Sequence, residues 1–177
     1  TATTTPKRTG RGVLYFTLEM SRVGLCRRLV AQRAGVSLQR IKRGVVSASE
    51  MTAMGLHAQE LARLPIQFIE DCRTVEAIEA RVLAEKARGD VGLVVVDYLQ
   101  LVKVARRTDD GTRDDQDRVN EFKGIANRAR VPVLAITSMT KTGQREAAKG
   151  KVDMTAGMGS GAEYAAEVTL RVGTTPE

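Results

Sequence analysis

Two carboxylates at the ends of apolar runs are the residues of this sequence best suited to chemistry. Residues 13–20 read VLYFTLEM and carry Glu19, while residues 91–101 read VGLVVVDYLQL and carry Asp97. Two strands that bring one acid each to the same end of a sheet supply what a magnesium-dependent nucleotide hydrolase needs. One acid holds the metal's water shell and the other orients the attacking water. Ser138, directly after the run VPVLAIT, is a third polar group at a strand end. An apolar run ending in Asp says little alone, because strand-to-loop boundaries often carry Asp.

The elements that must position these groups follow from periodicity and capping. The strand beginning at Val13 leads to Ser21, which can cap a helix through about Ala34. That helix has Val23, Leu25, Leu29 and Val30 on an apolar side and Arg22, Arg27, Arg28 and Arg33 on a basic one. A short helix is expected at 37–43. Ser47 and Glu50 have capping-box spacing and open a helix that Pro65 stops after Leu64. IQFIE at 66–70 reads as a short strand. Thr74 caps a helix to about Gly89, with Val75, Ile78, Val82 and Leu83 on one side.

After the strand at 92–97, the polar stretch 105–115 reads as a loop, because ARRTDDGTRDD is too charged and turn-rich to pack. A helix at about 115–130 places Val119, Phe122, Ile125, Ala126 and Ala129 on one face, and Pro132 begins a buried strand. A second polar stretch covers 138–161, and a last strand is expected near 167–172. Residues 1–12 read as a tail, leaving 13–177 as one unit. Strands that alternate with helices and are continuously apolar predict an α/β fold, a mostly parallel sheet covered by helices on both faces. In such sheets sites form beyond the carboxyl ends of the strands, where Glu19, Asp97 and Ser138 all fall.

Bulk properties narrow the class. A chain of 177 residues, 42% apolar and 28% charged, suits one soluble domain. No apolar run approaches the roughly 20 residues of a spanning helix, and the first residues lack the apolar segment of a secretory signal, so a cytoplasmic protein without a membrane partner is expected. Cys26 and Cys72 are too few for a disulfide framework or a zinc site. The net charge of +7 is uneven: residues 1–43 hold ten Lys and Arg against Glu19 alone. Such a surface suits phosphate backbones, an acidic neighbouring subunit, or simply solvent. With aromatics at 3% and no Trp, binding by stacked bases is disfavoured. His57, the single histidine, has no evident partner and is expected at the surface or half-buried.

The motifs FTLEM, SRVGLCRRLVA, IKRG, VVVDYLQL and GSGAEYAAEVTL occur in this order. The chain thereby resembles the ATPase domain of DnaB-type replicative helicases, whose members show SLEM, VDYLQL and a late SG-x-x-E-x-x-A-D segment. The likeness runs from about Val13 to Val172. It implies a RecA-like core within a hexameric ring that moves along single-stranded DNA at the expense of ATP, with a primase or a helicase loader as further partners. By motif, Glu19 would be the catalytic glutamate and Asp97 the Walker B aspartate acting on Mg²⁺ through its water shell. Arg28 matches an arginine of the family's next helix, for which stem packing or a surface ion pair is the plainer reading. The two polar stretches would face DNA, with Arg106, Arg107, Lys141, Arg145, Lys149 and Lys151 making sequence-blind phosphate contacts; the plainer alternative is a solvated loop.

Three departures accompany the resemblance. No G-x-x-x-x-G-K-[ST] run is present, so either the sequence is a piece truncated before the strand at 13 or hydrolysis has been lost; the intact acid pair favours the first. Where the family shows SQL, with a glutamine that senses nucleotide, this chain has Ser138-Met139. Glu167 replaces the late Asp. A catalytically silent DNA-binding or ring-assembly module, or a RecA-like ATPase of recombination type, are the competing readings.

Overall fold

A computed structural model describes residues 11–104, 111–137 and 166–170, with backbone alone for 111–115. Among the described residues four parallel strands form a sheet: β1 (Gly12–Thr17), β2 (Ile66–Ile69), β3 (Val91–Asp97) and β4 (Val133–Ile136), in the order β2-β1-β3-β4. The crossovers carry α1 (Arg22–Arg33), α2 (Leu38–Lys42), α3 (Ala48–Arg63), α4 (Val75–Arg88) and α5 (Gly111–Ala129). This is the expected α/β architecture, with β1 and β3 side by side at the centre.

Local chemistry sets the helix limits. The hydroxyls of Ser21, Ser37 and Thr74 accept backbone N–H groups of the first turns of α1, α2 and α4. Ser47 and Glu50 form the reciprocal capping box of α3. Helices α1 and α2 end where Gly35 and Gly44 take φ of +66° and +70°. Val36 and Val45 then donate back to the carbonyls of Ala31 and Arg40, closing both helices without a Cβ penalty.

The core lies on one side of the sheet. Leu14 and Phe16 of β1 and Val94 and Val96 of β3 meet Val75, Ile78 and Val82 of α4 and Val119, Phe122, Ile125 and Ala129 of α5. Arg118, which the sequence placed nowhere, is buried and donates from Nε to the Val102 carbonyl at 2.8 Å. Cys26 and Cys72 are free thiols, both half-buried. Among the described residues no helix is long and apolar enough to cross a membrane.

Several expectations are corrected. The β1 strand stops at Thr17, with Leu18 past its end and Glu19 in the turn that follows. Leu18 remains buried because it still packs in the core, which extends the apolar run past the end of pairing. In the described sheet β4 is an edge strand of alternating burial: Val133 and Ala135 pack against the core, whereas Leu134 and Ile136 are 46% and 38% exposed. The face opposite α4 and α5 is therefore not fully covered by the described elements. Val23 and Leu83, expected on apolar helix sides, are exposed at 63% and 41%. Helix α5 begins at Gly111, inside the stretch read as a loop. Residues 166–170 form no strand, and Val168 and Leu170 are exposed.

Among the described residues, three of the basic residues in 1–43 pair with acids of the chain. Arg40 pairs with Glu50, Arg33 with Glu60 at 4.0 Å, and Arg11 with Asp90 at 3.3 Å. His57 also has a partner, its Nδ1 lying 2.9 Å from Glu60 Oε2 one turn further along α3. Arg22, Arg27, Arg28, Lys42 and Arg43 stay exposed.

Candidate active site

Parallel pairing brings the C-terminal ends of β1, β3 and β4 together, with Thr17 opposite Asp97 and Asp97 opposite Ile136. Beyond these ends lies an open cleft of about 220 Å³ lined by Glu19, Asp97, Tyr98, Ile136 and Thr137. The two acids singled out by sequence thus border one cavity. Asp97 is half-buried as the last residue of β3, and Glu19 is exposed.

The turn that carries Glu19 is anchored by its neighbours. Leu18 N–H donates to the Asp97 carbonyl at 2.8 Å, continuing the ladder one residue past the strand. The buried Thr17 hydroxyl donates to the Met20 carbonyl at 2.6 Å and so closes the turn across Glu19. Arg73 donates from Nη1 to the Leu18 carbonyl at 3.3 Å. Ser21 caps α1, and Arg22 N–H donates to Glu70 Oε1 at 2.7 Å. These bonds hold the backbone on both sides of Glu19 while its carboxylate reaches solvent.

Asp97 is held from the sheet face. The Tyr15 hydroxyl donates to Asp97 Oδ2 at 2.8 Å. Burial, then the hydrogen bond to Asp97 and its negative charge, push the Tyr15 phenol well above its ordinary range, so it stays a donor at any working pH. Sequence reasoning missed Tyr15. Its parity along β1 matches that of Thr17, but only the β1–β3 register shows that this face meets Asp97.

The donor set at the cleft is oxygen alone. Mg²⁺ takes oxygen ligands, keeps several waters and needs only one or two carboxylates when phosphates complete its shell. Asp97 and Glu19 fit that requirement. Among the described residues no group of three or more His, Cys, Asp or Glu side chains converges to hold a metal ion, so any ion here would depend on a ligand for the rest of its shell. Ser138, Arg106, Arg107, Lys141, Arg145, Lys149 and Lys151 lie outside the described residues.

Comparison with known proteins adds ancestry to this geometry. Residues 1–158 match the family described as DnaB-like helicase C terminal domain. The replicative DNA helicase DnaB of Rickettsia bellii is 28% identical over 133 residues, which are 74% of this chain and 26% of that protein. The replicative DNA helicase DnaB of Leifsonia xyli is 27% identical over 138 residues, 77% of this chain and 30% of that protein. The chain therefore spans less than a third of these curated relatives. Among solved structures, one described as an ATPase domain superposes with a TM-score of 0.73 at 20% identity, covering 82% of this chain and 53% of that one. A DnaB-like replicative helicase, described with its interactions with primase, gives 0.69 at 21% identity, covering 81% and 34%.

Proposed function

The chain belongs to the DnaB-like helicase C-terminal domain family, and we propose that it is part of the ATPase motor of a replicative helicase, coupling ATP hydrolysis to movement along single-stranded DNA and duplex unwinding. The observation that carries this reading is the shared cleft. Asp97 at the end of β3 and Glu19 in the turn after the adjacent β1 border it, at the sheet end where α/β proteins place their ligands.

In this reading Asp97 holds the water shell of Mg²⁺, and Glu19 orients and deprotonates the water that attacks the γ-phosphate. The metal, when bound with ATP, neutralises charge on the phosphate oxygens. The sheet keeps Asp97 in place and the anchored turn presents Glu19 from the side. The basic residues at 106, 107, 141, 145, 149 and 151 would grip phosphates of single-stranded DNA without reading sequence. Ser138, two residues after Ile136 in the sequence, would contact nucleotide. A cytoplasmic hexameric ring of identical chains, working with a primase or a loader, completes the proposal.

The competing reading is a silent DNA-binding or ring-assembly module that keeps the fold without turnover. Glu19→Gln in the full-length protein separates the two. The enzyme reading expects ATP binding to persist while turnover falls by about 10²- to 10⁴-fold, the usual worth of a general base. Turnover at the wild-type rate would remove Glu19 from the chemistry, and no turnover in either protein would establish the silent module.

A further inference from the structure

Three half-buried side chains form a row across the sheet: Phe68 on β2, Tyr15 on β1 and Asp97 on β3. Tyr15 stands directly opposite Phe68, and the two rings lie 5.6 Å apart at 57°. On its other side Tyr15 is opposite Val95, which places its hydroxyl diagonally toward Asp97, two residues further along β3. The phenol reaches Oδ2 at 2.8 Å.

We infer that Tyr15 is a positioning residue for Asp97, fixing the orientation of its carboxylate toward the divalent cation that accompanies the nucleotide. The inference rests on the reading of Asp97 as the acid on the magnesium side. A carboxylate at a strand end can turn about its last bond and offer either oxygen. The Tyr15 bond removes that choice by occupying Oδ2, leaving Oδ1 for the cleft that Asp97 lines. A tyrosine has only two side-chain torsions, and the packed Phe68 ring restrains them, so the hydroxyl is delivered to one point at small entropic cost. Partners of this kind orient metal-side ligands, and losing one typically weakens metal affinity by about 10- to 100-fold.

The test is Tyr15→Phe in the full-length protein, which keeps the ring and its contact with Phe68 and removes a single oxygen. Mn²⁺ binding is followed by electron paramagnetic resonance in the presence of a non-hydrolysable ATP analogue. Affinity is expected to fall roughly 10-fold with the melting temperature nearly unchanged. Adding Tyr15→Phe to Asp97→Asn should then produce no further loss, because the two groups act as one unit. Unaltered Mn²⁺ affinity in Tyr15→Phe, alongside a large loss in Asp97→Asn, overturns the role of Tyr15 alone. Unaltered affinity in both variants overturns the reading of Asp97 and this inference with it.

Discussion

Leu18 and Asp97 are joined main chain to main chain, the N–H of one donating to the carbonyl of the other at 2.8 Å. The residue before Glu19 is thereby tied to the strand that ends in the second acid. Relative placement of the two backbone positions is fixed by one extra rung of the β1–β3 ladder.

The Thr17 hydroxyl should matter beyond its contribution to stability. Thr17→Val keeps the branched shape suited to a strand but removes the donor to the Met20 carbonyl. Loss of one buried hydrogen bond costs about 1 kcal/mol, readable by urea denaturation. If that bond holds the turn, ATP turnover falls several-fold more than the change in folded fraction explains, with KM for ATP little affected. A variant that loses stability alone would limit Thr17 to a structural part.

Ile78 is fully buried between α4 and the sheet. Ile78→Ala should destabilise the domain by about 2–5 kcal/mol, the range for aliphatic truncations in packed cores. Equilibrium denaturation measures it. A cost below about 1 kcal/mol would mean that α4 is not seated on the sheet as described.

Glu50 gives the α2–α3 corner a dependence on acid. Its carboxyl is held below the usual value of 4.5, first by the Ser47 backbone N–H, then by Arg40 and the Ser47 side chain. A depressed carboxylate stabilises the fold above its unfolded pKa, and the effect drains away as pH falls through the folded value. The melting temperatures of wild type and Glu50→Gln should differ by a constant amount above about pH 4.5 and converge below it. Parallel curves down to pH 3 would contradict the linkage.

The basic stretch 138–161 is testable through salt. Each phosphate contact on a single strand contributes a slope of about −0.7 in log K against log salt. Replacing Lys141, Arg145, Lys149 and Lys151 together by Gln should flatten that slope by about 3 and weaken binding across all sequences alike. An unchanged slope would leave these residues a solvated role.

What could be read from sequence was whatever is encoded locally. Ser21, Ser47 and Thr74 announce their helices because a cap is a contact over three residues. Asp97 marks the end of β3 because the apolar run before it has a clear limit. The end of β1 was blurred by Leu18, which is as apolar as the strand itself but packs in the core past Thr17. The edge position of β4 in the described sheet follows from strand order, which its composition does not encode. The start of α5 lay inside a stretch judged by its charge, although Asp114 and Asp115 suit a helix N-terminus. Tyr15 was invisible for a related reason, since its partner is 82 residues away and only register brings them together.

The two acids are mounted with different stiffness. Asp97 is bolted into a ladder and cannot move unless the central strands part, whereas Glu19 rides on a turn whose stays are single hydrogen bonds, each one replaceable. The backbone at Asp97 is thus tied by the rungs of two neighbouring strands, and the backbone around Glu19 by separate single bonds from Thr17 and Arg73.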